Sequence, residues 1–63
     1  MTQQEKAIVY DQLIRENDKL QRENSKLKSE YATNIPPHIQ KVIDGNNARM
    51  AVLVGRLESL FNS

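Results

Sequence analysis

The chain has 63 residues, with nine basic and eight acidic side chains, a single histidine and no cysteine. That length allows one domain at most. The balanced charge argues against a dedicated nucleic-acid binder, which usually carries a basic excess, and the lack of cysteine excludes disulfides and thiolate metal sites. The first predicted element is a helix over about 2–32, a stretch with no Gly or Pro and rich in Gln, Glu, Lys, Leu and Arg, all good helix formers. Its six basic and six acidic residues show no basic arm. A turn follows at 33–37, because the residue before a proline is pushed out of the α region and Ile35 precedes Pro36-Pro37. Thr33 or Asn34 is the expected cap of the next helix, with proline in its first turn. The second helix is expected over about 37–61. Asp44-Gly45-Asn46-Asn47 is a possible break within it, and one helix, kinked there at most, is the favoured reading.

Leu13, Leu20 and Leu27 are spaced by sevens. With these at heptad position d, position a holds Tyr10, Asn17, Asn24 and Tyr31. The run over 10–31 resembles a leucine zipper of the kind found in dimeric transcription factors. An apolar stripe repeating every 3.5 residues supercoils helices, and an asparagine in the stripe is satisfied by its own copy in a parallel dimer. The flanks agree: in a parallel pair, Val9 would meet Ile14, Glu16 would meet Gln21, and Glu23 would meet Lys28, none of them repulsive. The other reading is an ordinary amphipathic helix in a bundle, each asparagine at the rim of a core. The zipper transcription factors grip DNA with a basic helix ahead of the zipper, whereas only Lys6 is basic before Tyr10. The resemblance therefore implies oligomerisation and not DNA reading.

Ile39, Ile43, Asn46, Met50, Leu53, Leu57 and Leu60 form a second seam with 4-3-4-3-4-3 spacing. Val42, Val54 and Phe61 widen it. Met50 to Val54 is apolar on almost every side, as in a helix buried on several sides. Ala51, Gly55 and Ser59 recur every four residues, a spacing that lets a neighbouring helix come close. One partner helix cannot cover so wide a face, so helix 2 is expected to pack on its own helix 1, on other subunits, or on both. A plain hairpin is the simpler alternative.

No constellation for catalysis appears. His38 sits just after two prolines with no acid or serine partner nearby, and reads as an exposed first-turn residue. There is no phosphate loop, carboxylate pair or metal-ligand cluster, so neither an enzyme nor a cofactor is expected. Arg15, Lys19, Arg22 and Lys26 form a basic stripe outside the zipper that could follow a phosphate backbone or an acidic partner. The alternative is a solvated face on which Asp11–Arg15 and Asp18–Arg22 are i,i+4 pairs. The opening Thr2-x-Gln4-Glu5-Lys6, the Ile14-Arg15 pair and the length also resemble the Rop family of plasmid copy-number regulators. That resemblance implies a dimer of helical hairpins. Its RNA-contacting helix positions are occupied here by Tyr10, Ile14, Asp18 and Ser25, so the RNA site does not carry over.

The expectation is thus an all-α fold: two helices joined by a Pro-Pro turn, an N-terminal parallel coiled coil and a second amphipathic helix, assembled as a homo-oligomeric bundle with a dimer favoured. The expected interface is Tyr10, Leu13, Asn17, Leu20, Asn24, Leu27, Tyr31, Ile39, Ile43, Met50, Leu53, Leu57 and Leu60. A core this small contributes only about 3–5 kcal/mol, so association is the natural remedy. The function expected is a protein–protein interaction module, like the small accessory proteins of phages and mobile elements, that binds and modulates a host protein. A nucleic-acid regulator using the basic stripe and a scaffolding oligomer are the alternatives. No apolar run reaches the roughly 20 residues of a membrane span, and the opening Met-Thr-Gln-Gln-Glu-Lys has no apolar stretch of signal-peptide type. The expected location is the cytoplasm.

Overall fold

The computed structural model describes residues 1–62 and consists of two helices, α1 (Gln3–Glu30) and α2 (Pro37–Asn62). They lie side by side, and the molecule measures 47 × 15 × 13 Å. This is one helix length by two helix widths, since 28 residues rise about 42 Å.

Each end of α1 has a local cause. Thr2 is the N-cap: its hydroxyl accepts from the Glu5 backbone N–H at 3.1 Å, and the Glu5 carboxylate accepts from the Thr2 N–H at 3.2 Å. This reciprocal box satisfies two of the donors that a helix start leaves open. At the other end the Tyr31 N–H donates to the Leu27 carbonyl, and the Asn34 N–H donates to the Tyr31 carbonyl.

Neither Thr33 nor Asn34 caps the second helix. α2 begins at Pro37, and the Pro36 carbonyl accepts from the N–H groups of Ile39 and Gln40 at 3.0 and 2.9 Å. Ile35 and Pro36 both precede a proline and both are kept out of the α region, so helical geometry starts only after them. Pro37 then takes the first helical position, where its missing N–H costs nothing. α2 runs unbroken through Gly45, with no glycine at positive φ.

The helices are antiparallel. Tyr10 packs edge-on to Phe61, and Asn24 bonds to Asn47, two contacts that pair early residues of α1 with late residues of α2 and later ones with earlier. Leu13, Ile43 and Leu53 are the buried apolar side chains. Leu20 and Leu27 on α1, Tyr31 at its C-cap, and Ile39, Met50, Leu57 and Leu60 on α2 are half-buried around them. Both periodic stripes of the sequence therefore meet within one chain. Toward the N-terminus the α1 stripe shifts from Tyr10, which is 42% exposed, to the half-buried Val9 and Lys6. A straight helix drifts by about 20° per heptad against a seven-residue repeat, and this moves Tyr10 to the edge of the seam.

Candidate functional site: a polar seam and an apolar flank

The middle of the hairpin is polar. Asn24 is only 5% exposed. Its amide nitrogen donates to Asn47 Oδ1 at 2.9 Å, and its amide oxygen accepts from Asn46 Nδ2 at 2.9 Å. Asn46 Nδ2 also donates to Glu23 Oε1 at 3.0 Å. Among the described residues no buried side-chain polar atom is left unpartnered. The seam asparagine thus finds its partners on α2 of the same chain, and Glu23, at a flanking position, meets Asn46.

Two turns toward the termini, Arg49 grips Glu16 through Nε–Oε1 at 2.9 Å and Nη2–Oε2 at 3.3 Å. The hydrogen bond from Arg49 holds the Glu16 carboxyl below its usual range, partly opposed by desolvation and aided by the charges of Arg49, Arg56 and Lys19. The same bond raises the Arg49 guanidinium further above its ordinary value. Nothing in the local sequence marks Arg49 as a contact residue. It stands beside the second stripe and not in it, and only the antiparallel register brings it opposite Glu16.

Around each helix, residues are separated by about 100° per position. Glu16 and Tyr10 are therefore about 120° apart on α1, and they fall on opposite flanks of the Leu13–Leu20 seam. One flank carries Glu16, Glu23, Arg49 and Asn46. A shallow groove lined by Gln12, Val52, Arg56 and Ser59 continues it toward the chain ends. The other flank carries the Tyr10–Phe61 pair, with ring centroids 5.6 Å apart and planes inclined by 67°. A second shallow groove beside that pair is lined by Gln3, Lys6, Ala7 and Leu60. Ile14, about 40° from Tyr10, and Val54, about 20° from Phe61, extend this flank. Ile14, Val54 and Phe61 are exposed.

The four basic residues of the expected stripe share one face of α1. Arg15, Lys19, Arg22 and Lys26 are exposed on the outer side of α1. Arg15 pairs with Asp11 and Arg22 with Asp18, each at 2.9 Å. His38 is exposed. Among the described residues, no group of three or more His, Cys, Asp or Glu side chains could hold a metal ion, and no helix is long and apolar enough to cross a membrane. Comparison of the chain with protein families, curated proteins and solved structures finds no match. The hairpin thus encloses a fully hydrogen-bonded polar seam and leaves the Tyr10–Phe61 pair, Ile14 and Val54 exposed on one flank.

Proposed function

We propose that this chain is a self-associating helical interaction module that docks on another protein and modulates it. One observation carries the reading. Three apolar side chains are buried in the single hairpin, while Met1, Ile8, Tyr10, Ile14, Val42, Val52, Val54 and Phe61 stay exposed. The broad apolar face of α2 is covered by α1 on one side only: Leu53 is buried, but Val52 and Val54 are each about half exposed. A small domain with so little core gains most from a partner.

A protein partner is favoured over a nucleic acid because Asp11 and Asp18 are interleaved with the outer cations and bonded to two of them. Sedimentation equilibrium tests the self-association: a weight near 7.3 kDa throughout the micromolar range would overturn it. An electrophoretic shift assay with RNA and DNA over a salt series tests the partner class. No shift is expected. A shift that weakens steeply with salt would instead indicate phosphate contacts.

A further inference from the structure

We infer that the groove between Val9 and Gln12 of α1 and Val52, Gly55 and Ser59 of α2 receives an amphipathic helix of another protein, apolar toward the groove and carrying a carboxylate for Arg56. This rests on the docking proposed above and names its surface and the chemistry of its partner.

The groove is apolar at its base and low on one wall. The buried Leu13 and the half-buried Leu60 lie along it, and Val52 stands at its edge, 48% exposed. On α2, Gly55 and Ser59 are one turn apart and put little side chain in the way. A Cβ at Gly55 would meet nothing within 4 Å, so α2 offers its backbone to a neighbour there. Packed helices lie about 8–10 Å apart depending on the side chains at the contact, and small ones allow the close end of that range. The area suits one further helix. Compact monomers follow a size scaling that gives about 4,200 Å² of accessible surface for a 7.3 kDa chain. The hairpin exposes 4839 Å², an excess of roughly 700 Å² over that scaling, and a standard interface hides about 800 Å² on each partner. The furrow on the opposite flank is the poorer choice, because the Tyr10 and Phe61 rings already pack on each other across it.

Charge names the occupant. Among the described residues, Arg56 is the one charged side chain lining the groove. It has no direct ion pair or hydrogen bond among them, and acts on Glu16 only through space. Lys19, two turns beyond Gln12 on the same line of α1, acts on Glu16 in the same way. The carboxylates of this flank are already engaged: Glu5 in the cap of α1, Glu16 by Arg49 and Glu23 by Asn46. Asp11 is bonded to Arg15 on the outer side, and Glu58 is about 160° round α2 from Arg56. The flank therefore keeps cations to spare while its anions are used. A guanidinium forks onto a carboxylate through two parallel hydrogen bonds. Set beside Val9, Leu13 and Val52, it fits an acidic side chain at the edge of an apolar helix face, the usual way a helix lies in a groove. A phosphate backbone would meet the cation and leave those apolar side chains uncovered.

The experiment uses the whole chain and a displayed library of randomised helical peptides. Peptides selected on the unaltered protein are titrated against it, against Gly55→Gln and against Arg56→Gln, and their contacts are mapped by amide NMR shifts. Gly55→Gln fills the groove with a good helix former where a Cβ has room, so circular dichroism should show the helices kept. The expected peptides are enriched in Asp and Glu over Lys and Arg. Their shifts should centre on Val9, Gln12, Val52, Gly55 and Ser59, and each substitution should weaken binding by about tenfold, the scale of an interface arginine. Selected peptides that are neutral or basic overturn the inference. Peptides that bind both variants at full strength, with shifts at the Tyr10–Phe61 pair or along Arg15, Arg22 and Lys26, show that the groove is wrong while the docking stands. If no peptide is enriched, both the groove and the docking fail. Groove amides that shift on dilution of the protein alone would mean that a second copy sits there, which also overturns the inference.

Discussion

An amide placed between two helices stabilises them only when both its ends are used. Asn24 uses both, giving its N–H to Asn47 and taking one from Asn46. Replacing it with alanine removes these bonds and leaves two amides facing a gap. Asn46 is half-buried and Asn47 exposed, so their freed amides can reach water and the loss is that of the two bonds, about 0.5–1.5 kcal/mol each; Asn24→Ala should lower the urea midpoint at constant slope by the shift corresponding to that loss. Glu16 makes a different prediction. Its carboxyl is held low mainly by the hydrogen bond from Arg49. The ionised form therefore favours the folded state above the ordinary carboxyl range, and that support is lost as pH falls through the lowered value. Stability measured against pH should decline on the acid side, and Glu16→Gln should flatten that limb. Both side chains of the pair are 41% exposed, so added salt should shrink the effect. Gly45 completes the residue scale. It sits inside α2 at ordinary helical geometry, and a Cβ there would meet nothing within 4 Å. Gly45→Ala should then stabilise by about 0.5–1 kcal/mol, the usual helix-interior difference, read as a raised melting temperature.

At the scale of elements, the hairpin ranks its own side chains. Leu53 is fully buried, whereas Leu20 is half-buried. Truncating a core leucine costs about 2–5 kcal/mol, so Leu53→Ala should unfold the hairpin more readily than Leu20→Ala in paired thermal melts. An equal loss from Leu20→Ala would show that α1 provides as much of the core as α2. Much of this layout is legible in the sequence. The Gly- and Pro-free first segment and the two prolines mark two helices, and the 4-3 spacing from Ile39 to Leu60 marks the inward face of the second. Which stripe meets which is not legible, because a heptad with Asn17 and Asn24 in its seam reads equally well against a second chain or against α2. The complementary signal was the second seam's own asparagine, Asn46, whose place lets it meet Asn24 when the chain turns back. The Arg49–Glu16 contact and the edge position of Tyr10 depend on the antiparallel register and on helical drift. Neither is a property of any local stretch.

For the whole molecule, the long thin shape decides what stability can depend on. Two helices touching along one line expose more surface than a compact protein of this weight, and much of the remainder of α2 is apolar. Any copy that binds the folded hairpin and not the unfolded chain shifts the folding equilibrium by mass action. The melting temperature, followed by helical circular dichroism, should therefore rise steadily as chain concentration is increased over a roughly hundredfold range. Phe61→Ala should lower it at every concentration. Phe61 touches Tyr10 within the chain, yet it is 72% exposed there, so most of its ring gains nothing from the single hairpin. If a second copy covers this ring, the side chain should matter more as the copies come together. The loss from Phe61→Ala should accordingly be larger at high concentration than at low. A melting temperature that ignores concentration, with a small constant loss from Phe61→Ala, would mean that the hairpin stands alone and that the aromatic pair serves only to hold the chain ends together.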